Sequence, residues 1–273
     1  MLSVSQIKQL CEHYRFNPSK SRGQNFLLHD KAIHAMVDAL QIKRTDTVIE
    51  IGPGFGALTQ ELVKHAKKVI ALELEQVCVD YMQEHLPSVH VVKGDAMRTL
   101  PRAVEALPGR ASYVLVGNIP YNITGALLEQ AFTLAKKPRA ISFMVQREVG
   151  ERVCALPPRM NFLSALTRSY STPRVVARVP KGHFWPAPKV DSVVVHCAMH
   201  AISSQPREEQ AYLKILRSGF QHPRKTLLNN LLPLASGGRE QVQICLAQAG
   251  LKPTVRPAEL SVEKWHTVCL CIV

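Results

Sequence analysis

The chain has 273 residues, 46% of them hydrophobic, and its 34 lysines and arginines against 21 acidic residues give a formal charge of +13. This length allows an ordinary domain followed by a smaller one. The positive charge favours a polyanionic partner over a neutral metabolite. Nucleic acid is the leading candidate and an anionic membrane surface the second. No stretch approaches the roughly 18 apolar residues of a membrane helix, which argues against a membrane-spanning protein.

The N-terminus and the cysteines indicate the cellular compartment of the protein. The first residues, MLSVSQIKQLCEHYRF, lack the apolar run of a secretory signal, and an organellar presequence is a weaker alternative. The seven cysteines are scattered without a CxxC pair, which favours reduced thiols, and the histidines show no HExxH spacing. We predict a cytoplasmic monomer that binds no metal.

Helices and strands alternate in the first 150 residues. Apolar spacing predicts a helix at 30–40 with Asp30 as N-cap. Strands are predicted in TDTVIEI and at 69–75, 89–96, 113–121 and 140–146, with helices in ALTQELVKHA, QVCVDYMQEHL and GALLEQAFTLA. This alternation predicts an α/β fold with a largely parallel, doubly wound sheet, whose ligands lie at the carboxyl ends of the strands.

The remainder of the chain has a different pattern. FWPAPKVDSVVVHC (184–197) predicts a last strand, and the polar stretch SSQPREE (203–209) predicts a boundary between domains 1–202 and 203–273. Beyond it only helices are predicted, in EEQAYLKILRSGF, RKTLLNNLLPLA, REQVQICLAQAG and SVEKWHTVCLCI.

Three successive strand ends carry candidate cofactor residues. In EIGPGFG, glycines at 52, 54 and 56 permit a sharp turn and close approach of a ligand, although such turns are also common without one. Glu73 follows at the end of the next strand, where a carboxylate accepts ribose hydroxyls, with Glu75 as a competitor. Asp95 follows the third strand and is either an acceptor for an adenine amino group or a helix cap.

The glycine spacing separates two cofactor classes. GxGxG lacks the third glycine of GxGxxG, which disfavours NAD and fits S-adenosylmethionine, whose ammonium group Glu50 would approach.

The stretch GNIPYN (117–122) completes the constellation. The Asn118 side-chain oxygen and the Ile119 carbonyl can hold the two hydrogens of an exocyclic base amine and stabilise the charge that develops on its nitrogen. Pro120 fixes the turn, and Tyr121 offers a face for stacking of an unpaired base. In isolation the same stretch of residues would indicate only a proline turn with a half-buried tyrosine.

Together these motifs resemble a known family, the ribosomal RNA adenine dimethyltransferases. The resemblance is carried by GQNFL (23–27), EIGPGFG, Glu73, GDA, GNIPYN, FWPAPKVDS (184–192) and RKTLLNNL (224–231). It implies a Rossmann-like, S-adenosylmethionine-dependent methyltransferase sheet with a small all-helical C-terminal domain. It further implies dimethylation of two adjacent adenosines near the 3′ end of small-subunit ribosomal RNA, during small-subunit biogenesis.

The resemblance also implies roles for individual residues. Tyr121 and Phe184 would sandwich the target adenine, with Asn118, Ile119 and Pro120 beside it. The cofactor would contact Asn25, Leu27, Gly52, Gly54, Glu73, Asp95, Ala96 and Asn118.

Basic side chains are the candidate RNA contacts. Each one alone is more often a solvated surface charge, but together with the net charge they favour phosphate binding. The predicted set is Lys20, Arg22, Arg147, Lys189, Arg224 and Lys225. Arg224 and Lys225 are expected to open a helix with Pro223 near its first position.

Several alternatives share the fold. A large-subunit methyltransferase of the resistance type generally lacks the RKTL helix, and a non-catalytic RNA-binding or assembly factor could lose Asn118 or Glu73 without penalty. A mitochondrial transcription factor of the same lineage shares more of the motifs, and the missing presequence and the compact C-terminus argue against it. A DNA amino-methyltransferase would ordinarily carry a larger target-recognition region than this helical tail.

Overall fold

The computed structural model describes residues 2–19, 23–109, 111–200 and 206–272. They form two compact units, the first comprising Met1–Gly150 and Pro173–Met199 and the second Glu151–Thr172 and His200–Val273. The strands are β1 (Phe26–Leu27), β2 (Thr47–Ile51), β3 (Lys68–Glu73), β4 (His90–Lys93), β5 (Tyr113–Asn118), β6 (Ala140–Gln146), β7 (Ser171–Val179), β8 (Phe184–Trp185) and β9 (Ser192–Met199).

A seven-stranded sheet in the order β4-β3-β2-β5-β6-β9-β7 forms the centre of the first unit. The pairs among β2, β3, β4, β5 and β6 are parallel, and β9 runs antiparallel to β6. This confirms the predicted α/β fold. β1 and β8 form a separate antiparallel ladder that pairs Leu27 with Phe184.

Helices accompany these strands. They are α1 (Val4–His13), α2 (Asp30–Leu40), α3 (Thr59–His65), α4 (Gln76–His85), α5 (Ala96–Glu105) and α6 (Thr124–Thr133). Apolar residues of α2, α3 and α4 are buried together with Val48 of β2 and with Val114 and Val116 of β5, and every residue of β2 is buried, as expected for a parallel sheet covered on both faces. The N-cap of α2 is His29 and not the predicted Asp30, which is the first helical residue.

Helix α1 was not predicted, and it packs on an aromatic cluster. Ile7 and Cys11 are buried against Phe55 and Tyr81. Phe26 stacks on Phe55 with ring centroids 5.0 Å apart, which ties the GQNFL segment to the glycine turn.

The second unit is helical. Its helices are α8 (Phe162–Tyr170), α9 (Pro206–Phe220), α10 (Leu227–Leu231), α11 (Gly238–Gln248) and α12 (Val262–Ile272), and α7 (Arg147–Val153) spans the point where the first unit ends. Trp265 is fully buried at the centre of its core. The division differs from the predicted boundary at 203, because Met160 and Ala165 lie in this core.

The predicted start of the RKTL helix is wrong. Thr226 caps α10 by accepting a hydrogen bond from the Asn229 N–H, and the helix begins at Leu227. Pro223, Arg224 and Lys225 therefore lie in the turn between α9 and α10.

The prediction of reduced thiols is wrong for one pair. Cys245 and Cys271 form a disulfide with their Cα atoms 5.4 Å apart. Because α11 packs against α12, tertiary structure brings together two cysteines that no local spacing connects.

Two observations bear on membranes and metals. In the described part of the chain, every helix is too short or too polar to cross a membrane. The same residues contain no group of three or more His, Cys, Asp or Glu side chains placed to hold a metal ion.

Candidate active site

A cavity of about 300 Å³ opens at the carboxyl ends of β2, β3, β4 and β5. Parallel pairing brings these strand ends to one edge of the sheet, where the crossover loops meet. All of the predicted cofactor residues line this cavity: Asn25, Leu27, Gly52, Gly54, Glu73, Asp95, Ala96 and Asn118.

The glycine turn forms one wall of the cavity. Gly52 and Gly54 have φ values of +68° and +56°, in the left-handed region that side chains disfavour. A Cβ on Gly54 would lie 3.0 Å from the Phe26 ring, and one on Gly52 would lie 3.6 Å from the Asn118 carbonyl oxygen. The positive φ favours glycine at both positions, and the close approach of the Phe26 ring adds a steric reason at Gly54.

Glu73 presents a buried carboxylate at the end of β3. Its Oε2 accepts the Gly54 N–H at 3.0 Å, and its Oε1 accepts the N–H groups of Leu74 and Glu75 at 2.8 and 2.9 Å. Burial raises the pKa of Glu73, while these hydrogen bonds oppose the rise. Since a carboxylate oxygen has about two acceptor directions, Oε2 keeps one for a ligand hydroxyl.

Glu50 is a second buried carboxylate on the same cavity. It is 1% exposed, and its Oε2 accepts the Thr59 hydroxyl at 2.7 Å. Burial raises the pKa of Glu50 to about 8, the Thr59 hydrogen bond opposes the rise, and the charge of Glu73 adds to it. Within the described residues no cationic side chain shifts either carboxylate, so the pair suits a positively charged ligand.

Asp95 caps a helix in addition to lining the cavity. Its Oδ1 accepts the Met97 N–H at 2.9 Å as the N-cap of α5. The cap occupies one oxygen of an exposed carboxylate, so both sequence interpretations are compatible with this geometry.

The orientation of the Asn118 amide is fixed by its partner. The Nδ2 of Asn118 donates to the backbone carbonyl of Asn25 at 2.8 Å. A carbonyl only accepts hydrogen bonds, so the nitrogen must face Asn25, and Oδ1 is left as the acceptor for an external donor. Asn25 is itself held, because its side-chain nitrogen donates to the Gly23 carbonyl at 3.1 Å.

The turn after Asn118 is pinned at several points. The N–H of the buried Ile119 donates to the Met144 carbonyl at 3.1 Å, and the Pro120 carbonyl accepts the Thr124 hydroxyl at 3.1 Å. Tyr121 is half-buried, and its hydroxyl lies 2.9 Å from that of Ser192. Sequence reasoning missed Ser192, although it is the last residue of the FWPAPKVDS motif.

The base-stacking role that the resemblance implies for Phe184 stays a prediction. In this structure Phe184 is only 3% exposed and belongs to the main core. Its ring presents no accessible face, whereas Trp185 stacks on Phe26 at a centroid distance of 6.4 Å.

The predicted RNA contacts are distributed over both units. Arg147 and Lys189 are exposed in the first unit, and Arg224 and Lys225 are exposed in the second. Lys20 and Arg22 lie outside the described residues. Phosphate binding by this set stays a prediction.

Comparison with known proteins shows the class and the family. The 23S rRNA methyltransferase ErmE superposes with a TM-score of 0.71 at 24% identity over 91% of this chain and 99% of its own. A dimethyladenosine transferase from Plasmodium falciparum gives 0.73 at 22% identity over 89% and 95%. The chain therefore has the Rossmann-like fold of these methyltransferases.

The family follows from sequence similarity. The family model for ribosomal RNA adenine dimethylase matches residues 15–272. A protein of Dehalococcoides mccartyi named ribosomal RNA small subunit methyltransferase A is 38% identical over 98% of this chain and 92% of its own length. A Clostridium botulinum protein of the same name is 31% identical over 97% and 98%. The chain belongs to the ribosomal RNA adenine dimethylase family.

Proposed function

We propose that this protein dimethylates the exocyclic amines of two adjacent adenosines near the 3′ end of small-subunit ribosomal RNA. The observation that carries the proposal is the Asn118 amide, whose nitrogen is tied to the Asn25 carbonyl so that its oxygen remains for an amine hydrogen. We further propose that the protein is a cytoplasmic monomer and acts on immature small subunits.

The residues that line the cavity support S-adenosylmethionine as the cofactor. When bound, it supplies a methyl group on a sulfonium centre. Glu73 would accept its ribose hydroxyls, Asp95 its adenine amino group, and Glu50 would face its cationic end. Two buried carboxylates without a cationic partner among the described residues support a positively charged ligand over a pyrophosphate.

The chain's own residues prepare the acceptor nitrogen. An exocyclic amine is a poor nucleophile because its lone pair is delocalised into the base. Asn118 Oδ1 and the Ile119 carbonyl would accept its two hydrogens, favour a pyramidal nitrogen and stabilise its developing positive charge. No strong base is needed, because the cationic amine formed by methyl transfer releases its proton readily.

Tyr121 would hold the base in place. An adenine inside a duplex cannot reach the strand ends, so the substrate must be unpaired or flipped out. Stacking on the half-buried Tyr121 ring would then fix the plane of the base beside Asn118.

Tritium transfer from labelled S-adenosylmethionine tests the function. We expect the wild-type protein to label under-methylated small subunits, with both adenosines dimethylated by mass spectrometry of the RNA. Asn118→Ala should lower the rate about 100- to 1,000-fold, the usual cost of removing one such acceptor or donor. Its circular dichroism should match the wild type, and its free energy of unfolding should fall by no more than about 1 kcal/mol, the cost of losing the Nδ2 hydrogen bond to the Asn25 carbonyl.

Controls separate this function from its alternatives. Asn17→Ala removes an exposed amide in a loop and should leave the rate unchanged. Label in large subunits or DNA with none in small subunits would contradict the substrate, and full activity of Asn118→Ala would contradict the role of the amide.

A further inference from the structure

The hydroxyl of Tyr121 has a specific partner on another strand. It lies 2.9 Å from Ser192 Oγ, and either oxygen can be the donor. Ser192 is the first residue of β9 and is 1% exposed. Burial raises the pKa of the Tyr121 phenol and the Ser192 hydrogen bond opposes the rise, so both hydroxyls are neutral hydrogen-bonding groups.

Strand topology explains how residues 71 apart in sequence meet. β6 separates β5 from β9 in the sheet, and neighbouring strands lie about 4.8 Å apart. Because β9 is antiparallel, its first residue arrives at the edge where β5 and β6 end, with Ser192 opposite Gln146. The Tyr121 side chain therefore reaches from the end of β5 across the end of β6.

Both ends of the Tyr121 side chain rest on rigid structure. At the backbone end, a Cβ on Gly23 would lie 3.1 Å from the Tyr121 nitrogen, so the Gly23 loop packs tightly there. At the hydroxyl end, the residue before Ser192 is anchored twice. The Asp191 carbonyl accepts the Arg147 N–H, and its carboxylate accepts the Lys181 N–H, both at 3.0 Å.

We propose that Ser192 is a positioning residue, whose hydroxyl fixes the Tyr121 ring in the plane that the target adenine requires beside Asn118. This inference rests on the proposed function and adds a residue that does not itself touch the substrate. A ring held only at its backbone end could swing about its side-chain bonds, and each stacked base would then meet a mixture of ring orientations.

A double-mutant cycle tests the inference. Ser192→Ala and Tyr121→Phe each remove the same hydrogen bond, and each should lower kcat/KM for small subunits about 3- to 10-fold. The double variant should be no slower than the slower single variant, because the interaction is already lost. The dissociation constant for S-adenosylmethionine should not change, since neither side chain lines the cofactor cavity.

A matched control comes from the neighbouring strand. Ser142 on β6 is fully buried, and its hydroxyl is without a hydrogen-bond partner among the described residues. Ser142→Ala should therefore keep full kcat/KM. The comparison separates the loss of the Tyr121 contact from the mere removal of a buried serine hydroxyl.

Several outcomes would overturn the inference. They are full activity of Ser192→Ala, additive losses in the double variant, or cofactor binding weakened as much as kcat/KM. An inactive wild type would overturn the proposed function and this inference with it. An active wild type with a fully active Ser192→Ala would overturn the inference alone.

Discussion

The two ends of the central sheet differ in whether a buried carboxyl group has a cationic partner. One such group lies at each end of strand β2. Asp46 stands immediately before β2 and is 0% exposed, while Glu50 lies near the end of β2 and is 1% exposed. Asp46 Oδ2 lies 2.6 Å from the Arg139 guanidinium, whereas Glu50 accepts only the neutral Thr59 hydroxyl within the described hydrogen bonds.

The pKa values of Asp46 and Glu50 differ because only Asp46 has a cationic partner. Burial by itself would raise the pKa of Asp46, but hydrogen bonds from the Lys43 N–H, Arg139 and Ser112 outweigh it and lower the pKa. Burial raises the pKa of Glu50 to about 8 because no cation compensates it. The amino end of the sheet therefore contains a completed charge pair, and the carboxyl end contains buried carboxyl groups whose ionised form a bound cation would favour.

The largest expected effect breaks the completed pair. In Arg139→Met the Asp46 carboxylate would lose its cation, and the Leu40 and Gln41 carbonyls would lose their shared donor. We expect the free energy of unfolding to fall by about 3 kcal/mol or more, measured by denaturant titration. The folded fraction at low temperature should keep its methyl-transfer rate, because the change lies at the edge opposite the cavity.

An exposed ion pair provides the control. Lys64 is 64% exposed at its side chain and pairs with Glu61 in α3, so Lys64→Met should cost at most about 1 kcal/mol. Equal losses in the two variants would show that the buried pair is no more important to stability than a surface one.

Sequence patterns were sufficient for the five parallel strands of the sheet and for the edge where the site lies, but they did not predict the edge strand β7. β6 was predicted with its observed bounds, because a continuous apolar run between polar segments indicates a buried strand. Parallel strands share a carboxyl edge, so the motifs of three strand ends were expected to converge, and their residues do line one cavity.

The pairings that fix the site were beyond local patterns. Asn118 meets the Asn25 backbone, and Arg139 meets Asp46, each across 93 residues. Neither contact has a periodicity or spacing that a single sequence reveals. Phe184 shows a further limit, because its motif indicates an aromatic ring but not that the ring is almost fully buried in the main core.

A smaller effect is expected at the carboxyl end of the sheet, in the pH dependence of the stability that Glu50 contributes. Below pH 4.5 Glu50 is protonated in both states and has no effect on stability, while between 4.5 and 8 the folded state retains a proton that the unfolded chain has lost. The free energy of unfolding contributed by Glu50 therefore falls as pH rises through this window. Glu50→Gln should remove that fall.

The measurement compares wild type and Glu50→Gln between pH 7 and 9, in the absence of cofactor. The difference between their unfolding free energies should change by about 1 kcal/mol in favour of the variant as pH rises. Titrating groups that do not interact with Glu50 are common to both proteins and cancel in this difference, which leaves Glu50 and its coupling to Glu73. A difference that is constant with pH would mean that Glu50 is not held protonated by burial.

The smallest effect concerns Asp95, whose carboxylate caps a helix and is also proposed to bind the cofactor. Asp95→Asn should keep the cap of α5, because asparagine caps helices as well as aspartate and its oxygen would stay on the Met97 N–H. The thermal midpoint should therefore change little. The amide nitrogen would then face the position proposed for the adenine amino group, and two donors cannot bond each other.

We expect Asp95→Asn to bind S-adenosylmethionine about threefold more weakly by calorimetry, the effect of one exposed hydrogen bond. Asp95→Ala should show the same weakening together with about 1 kcal/mol of lost stability, because it removes the cap as well. Unchanged cofactor affinity in Asp95→Asn would mean that this carboxylate serves only the helix. Asp95 would then resemble the amino end of the sheet, where a buried charge contributes to stability alone.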